Sequence, residues 1–145
     1  MPLPDPRPGL VICYAYLWAS EYDAGRDEGV KDRPCAVVLT RHEMDGEIVV
    51  TVAPVTHSLP SDPASAVEIP PATKKRLGPD SERSWIVATE VNRFVWPGPD
   101  LRPISGRQSN RFAYGYLPAV LVRRIADRIL DLARKRSIKI VERSD

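Results

Sequence analysis

Leu10–Trp18, LVICYAYLW, is an uncharged apolar run, the first of several that stop short at proline, glycine or charge. Runs of this length, rich in β-branched and aromatic residues, fit strands covered on both faces and are too short for ordinary helices. Pro34–Thr40 (PCAVVLT), Glu47–Val55 (EIVVTVAPV) and Ser84–Phe94 (SWIVATEVNRF) follow, with a shorter run at Ala66–Ile69. Asp45-Gly46 lies between the second and third, which predicts a hairpin there. Only near the C-terminus does the period change. Leu121, Ile125, Ile129 and Leu132 share one helical face behind Pro118, while Arg123, Arg124, Arg128 and Arg134 lie mostly elsewhere. Short strands, hairpins and one strong C-terminal helix predict a mainly β, α+β fold: a small β-barrel with a helix.

The connecting segments set the boundaries. Residues 1–8 hold four prolines and predict an extended, disordered arm ending at Gly9. Ala19–Asp32 reads as a long acidic loop. Pro70–Leu77 predicts one or two helical turns stopped by Gly78-Pro79. Residues 101–116 read as an Arg-rich loop with interleaved aromatics, and the SIKIV segment as a short edge strand or a tail. At 145 residues the chain is long enough for one core. The expected division is therefore an arm over 1–8, a barrel with its helix over 9–136, and a tail over 137–145.

Several classes of function are excluded by what the motifs lack. No apolar run approaches the roughly 18 residues of a membrane span, and no signal pattern opens the chain. Cys13 and Cys35 lie inside apolar runs with no metal-ligand spacing, so reduced buried thiols in a cytoplasm are expected. There is no phosphate-binding glycine loop, dinucleotide fingerprint, metal cluster or nucleophile elbow, and neither cofactor nor metal is predicted. Charge is uneven: residues 1–100 carry 10 basic and 15 acidic side chains, whereas 101–145 carry 11 and 4. A basic C-terminal third suits a polyanion, or a helix whose outer face is simply solvated.

The chemistry that remains sits at strand ends. Arg33 precedes Pro34 at the mouth of the second strand, and Thr56 and His57 close the third. A hairpin through Asp45-Gly46 brings the start of one strand beside the end of the other, so Arg33 and Thr56 become neighbours. A guanidinium forks onto two phosphate oxygens while a hydroxyl donates a third hydrogen bond. The alternative is a solvated rim arginine. Of the two histidines, His42 falls in the turn, whereas His57 sits past a strand end, where it could serve acid–base work.

These residues resemble a known family. GLVICYAYLW, then Glu28-x-x-x-x-Arg33-Pro34 running into CAVVL, then VAPVTHS and WIVATEVNRF before an amphipathic helix, resemble the MazF/PemK toxins of bacterial toxin–antitoxin systems in order and spacing. The likeness covers roughly residues 9–135. It implies an SH3-like barrel, usually a homodimer, that cleaves single-stranded RNA sequence-specifically without a metal, leaving a 2′,3′-cyclic phosphate. It makes Arg33 and Thr56 the main catalytic pair and ties Glu28 to activity. Glu28 and His57 are then the candidate general bases. Arg33 is expected to act as an electrostatic stabiliser of charge building on the phosphate oxygens.

Single-stranded RNA needs a basic track and stacking surfaces. Arg93, Arg107 and Arg111, with Lys31 and Ser58 beside the catalytic pair, are the candidate RNA contacts, and Trp18, Trp85, Trp96, Tyr114 and Tyr116 supply aromatics. The resemblance also implies a small, acidic, partly disordered antitoxin. The first loop and the Pro70–Ser84 segment are longer than in many family members, and Asn92 stands where a basic residue is common. Two other readings compete: a non-catalytic barrel that binds protein or nucleic acid, and a gyrase poison. Gyrase poisons of this fold typically end in Trp-Gly-Ile, where this chain reads Glu142-Arg143-Ser144-Asp145.

Overall fold

The computed structural model describes residues 3–26, 29, 31–104 and 111–143. β1 (Leu10–Tyr14), β2 (Arg33–His42) and β3 (Ile48–Thr56) are successive antiparallel neighbours at the centre of an eight-stranded sheet. The β2–β3 turn is closed by the Glu43 amide donating to the Glu47 carbonyl at 2.8 Å. Gly46 takes φ +89°, the left-handed conformation that glycine adopts without a Cβ penalty. Beyond β3 lie β4 (Ala66–Glu68) and β5 (Trp85–Val87), and β7 (Ala113–Tyr116) flanks β1. β3 is shared along its length. Its first half pairs with β6 (Glu90–Val95) and its last two residues with β5. β8 (Lys139–Glu142) runs parallel to β6. Among the described residues no pairing joins the ends of the path β4-β5-β3-β2-β1-β7, so these strands form an open sheet.

Both faces of the central strands are covered, which explains why their sequences lack hydrophobic alternation. On one side Val11, Ala36, Ala53 and Val55 pack with Leu121 and Ile125 of α3 (Ala119–Arg134). Burying each of these two helix residues contributes about 1.5–3 kcal/mol. On the other side Ile12, Tyr14, Cys35, Val37, Val50 and Val52 pack with Phe94 and Leu101. The expected helical face is the one used, with Ile129 partly buried against the same core. Cys13 and Cys35 are free buried thiols, and burial pushes both pKa values up. No described helix is long and apolar enough to cross a membrane.

Two segments differ from the sequence reading. Ala19–Asp23 forms a short helix, α1, inside the stretch expected to be loop. Residues 113–116 are strand β7 rather than loop, because the β1 edge needs a partner and Gly115 accommodates it at φ +136°. Of the two readings of the SIKIV segment the structure takes the edge strand, β8, which pairs parallel with β6. The expected turn at Pro70–Leu77 is α2 (Pro71–Leu77), ended by Gly78 in the left-handed conformation. Residues 3–8 run along the domain, where the Tyr116 hydroxyl donates to the Asp5 carbonyl at 2.9 Å.

A buried polar network ties β8 to the chain just after β1. Arg143 donates to the Ala15 carbonyl (2.9 Å) and to Asn92 Oδ1 (3.0 Å), and pairs with Asp100 Oδ2 at 2.9 Å. Asn92 grips the backbone of Leu17 at both ends, accepting from its N–H at 2.9 Å and donating to its carbonyl at 2.8 Å. The extended segment from Ala15 to Trp18 is therefore pinned from beneath by side chains. Loop residue Gly29 lies against it: a Cβ there would overlap the Tyr16 carbonyl oxygen and sit 2.9 Å from that of Ala15.

Candidate functional site

Cys35 faces Pro54 across the β2–β3 ladder, and the same register continued by two residues sets Arg33 opposite Thr56. The strand-end pair expected from sequence is thus brought together. Pro34 carries no N–H, so the strand mouth is fixed in φ and loses one ladder donor. The Arg33 guanidinium lies 4.9 Å from the centre of the Trp18 ring. Its Nη1 makes a long, 3.4 Å hydrogen bond to the Val55 carbonyl, and its Nε is buried without a partner. Among the described residues Arg33 forms no ion pair. An arginine so placed keeps hydrogen-bonding capacity for an anion.

Thr56 pairs with Trp85 of β5, and its hydroxyl accepts from the Ser58 amide at 3.1 Å. An accepting hydroxyl still has its own proton to donate. Thr56 and Ser58 line an open cavity of about 360 Å³ whose other walls include Trp18, Ser61, Ser65 and Val87. The backbone from Ser58 to Ser65 is shaped by Asp62, whose side chain accepts from the Ala64 amide at 2.9 Å and starts a 3-10 turn at Pro63–Ser65.

His57 is directed at the α2–β5 loop. Its Nε2 is 2.9 Å from Asp80 Oδ2 and its Nδ1 3.5 Å from Glu82 Oε2. Lys74, buried at 5% exposure, ion-pairs with Asp80 and donates to the Glu82 carbonyl at 2.7 Å. Burial pushes the Asp80 pKa up, but hydrogen bonds from Lys74, the Glu82 amide and His57 outweigh it and hold the carboxyl below its usual range. His57, Asp80 and Glu82 lie close enough to share a metal ion. The Lys74 ammonium already supplies the cation that Asp80 needs. His57 therefore works first as a tether, holding the end of β3 to the loop after α2.

The remaining expected contacts scatter. Ser58 is in the cavity wall, and Lys31 is exposed two residues before Arg33. Arg93 pairs with Thr51, five residues along β3 from Thr56 and roughly 17 Å away at strand spacing. Its guanidinium is ion-paired with Glu142. Arg111 precedes β7, on the far side of β1 from Arg33, and donates to the Ala113 carbonyl at 3.1 Å. Glu28 and Arg107 lie outside the described residues.

Sequence reasoning missed Glu90, which accepts from the Tyr16 hydroxyl at 3.1 Å and from the Ala19 amide at 2.9 Å. Those two residues bracket Trp18, so Glu90 holds the turn that carries the arginine's platform. Burial raises its pKa above the ordinary 4.5, against hydrogen bonds from Ala19 and Tyr16 that lower it. A carboxyl raised in the folded state binds more protons there than in the unfolded chain. Its contribution to stability is therefore largest below about 4.5 and declines as pH rises through the folded value. Glu90→Gln keeps the accepting oxygen and removes the titration. Urea midpoints measured from about pH 4 to pH 7 should show the variant losing less stability across that window than the wild type; parallel curves would contradict this account.

Comparison of the chain with protein-family models, with curated proteins and with solved structures returned no match.

Proposed function

We propose that this chain is a sequence-specific, metal-independent endoribonuclease of the MazF/PemK toxin kind, cleaving single-stranded RNA and held in check by an antitoxin. The observation that carries the reading is the placement of Arg33 opposite Thr56 at the open end of the β2–β3 hairpin, beside a cavity walled by Thr56, Ser58 and Trp18. The MazF/PemK resemblance of the Glu28-to-Arg33-Pro34 and VAPVTHS segments supplies the reaction. A homodimer and a small acidic antitoxin belong to the same reading, as does a cytoplasmic location.

In that reaction the RNA 2′-oxygen attacks the adjacent phosphorus, forming the O2′–P bond as the P–O5′ bond breaks. The 2′-hydroxyl proton leaves to a base, for which Glu28 and His57 are the candidates, and the departing O5′ gains a proton. Negative charge grows on the nonbridging oxygens. Arg33, fixed by Trp18 beneath it and Pro34 beside it, donates to them without reorganising. Thr56 donates a hydrogen bond to a phosphate oxygen or orients the 2′-hydroxyl.

The test is incubation of the purified protein with a long unstructured RNA in excess EDTA, followed by analysis of the new 3′ ends. Cleavage at defined sites with cyclic phosphate termini is expected. An RNA left intact would return the chain to the non-catalytic binding reading, and plain 3′-hydroxyl ends would remove the mechanism.

A further inference from the structure

The cavity beside Thr56 shares that residue with the proposed phosphate site, yet among the described residues no charged side chain lines it. Its walls combine an indole, the apolar side chains of Leu59, Ala66 and Val87, and the hydroxyls of Ser58, Ser61 and Ser65. At about 360 Å³ it is near the small end of ligand cavities, which run from roughly 300 to 1,000 Å³. A phosphate or metal ion would find no counter-charge among these described walls, and an aliphatic chain would strand the hydroxyls. The chemistry that fits is a flat, neutral ring with polar edges.

Trp18 is prepared to receive such a ring. The Arg33 guanidinium covers one face at 4.9 Å, and Tyr16 meets the indole edge-on with centroids 5.1 Å apart. Glu90 and Asn92 fix the backbone on either side of it, through Ala19 and Leu17. The indole is thus held before any ligand arrives, and a preorganised stacking surface binds at low entropic cost.

We infer that this cavity holds one unstacked nucleobase of the RNA, a neighbour of the scissile phosphate, against Trp18, with the serine hydroxyls reading its edge. The inference rests on the ribonuclease reading and adds to it the location of a specificity-determining pocket. Thr56 then belongs to both sites: its hydroxyl meets the phosphate, and its side chain closes the base pocket. Discrimination comes from the loop between β3 and β4, not from the basic C-terminal third.

A double cycle tests it. RNA carrying one cleavage site is made with an abasic nucleotide on the 5′ or the 3′ side of the cut bond, and kcat/KM is measured for wild type, Trp18→Phe, Trp18→Ala and Ser61→Trp. One of the two abasic substitutions should cost the wild type about tenfold, the scale of one lost base–aromatic stack. Trp18→Phe should keep most of that dependence. Trp18→Ala should cleave abasic and intact RNA nearly alike, the coupling that a purely structural tryptophan would not show. Ser61→Trp, which fills the cavity from its exposed rim, should raise KM on intact RNA and shrink the difference between intact and abasic substrates. If wild type cleaves intact and doubly abasic RNA equally, the base pocket is overturned while the ribonuclease stands. If no RNA is cleaved at all, the reading beneath it falls too.

Discussion

Replacing Arg33 by alanine is expected to lower RNA cleavage at least about 100-fold, the loss that follows removal of one transition-state donor from a prepared site. The effect on folding should be small by comparison. Arg33 makes one long hydrogen bond, to the Val55 carbonyl, and one stacking contact, on Trp18, among the described residues. Together these are worth no more than about 2 kcal/mol. Arg33→Ala should therefore keep its urea transition near that of wild type while its rate collapses. Arg33→Lys should recover little, because an ammonium cannot fork onto two phosphate oxygens or lie flat on an indole. Equal cleavage by wild type and Arg33→Ala would remove Arg33 from the mechanism.

Arg143→Met should have the larger effect on stability. The guanidinium is buried, with its side chain 3% exposed, and it satisfies Asp100, Asn92 and the Ala15 carbonyl at once. Breaking a buried ion pair by removing one partner costs about 3–5 kcal/mol, and Arg143→Met leaves Asp100 only the Arg102 guanidinium, 3.8 Å from its Oδ1, as a weaker compensation. That is a large share of the stability of an ordinary domain. Pairing the change with Asp100→Asn removes the stranded carboxylate, so the double variant should be more stable than Arg143→Met alone. Urea unfolding at one pH checks both, and a loss below about 1 kcal/mol in the single variant would show that the network is not what holds β8.

The parts of the fold that sequence announces are those set by near neighbours. Asp45-Gly46 marks the hairpin, Gly78 stops α2, and the spacing of Leu121, Ile125 and Ile129 gives α3 and its buried face. The hairpin was enough to bring the start of β2 beside the end of β3, but its register near the turn would set Arg33 opposite His57. An irregularity between Val37 and Leu39, which no sequence signal marks, shifts the ladder by one residue toward Thr56. What escaped was settled by distant partners. β7 is a strand because β1 offers it an edge, and β6 decides between the strand and the tail that the SIKIV segment allowed. Asn92 and Arg143 stand 51 positions apart, in a strand and a polar tail, and neither carries a pattern that marks it as buried. His57 was legible as a strand-end histidine, but its carboxylate partners 23 and 25 residues on were not. The proposed base pocket was hidden for the same reason: Trp18 and Ser61 meet only after β1 and β3 have been laid on either side of β2.

The parallel pairing of β6 with β8 has a consequence for how the molecule comes into being. A chain made from its amino end has β1, β2 and β3 in hand early, and with them Arg33 and Thr56. Arg143 is synthesised only after the whole of α3. Until it emerges from the ribosome, Asp100 has only the more distant Arg102 guanidinium, 3.8 Å from its Oδ1, and the Asn92 grip on Leu17 lacks the guanidinium that braces it. The nascent protein can carry every residue of its candidate site and still lack a settled Trp18 platform. On the ribonuclease reading, the platform beneath Arg33 is settled only after α3 and β8 have been made.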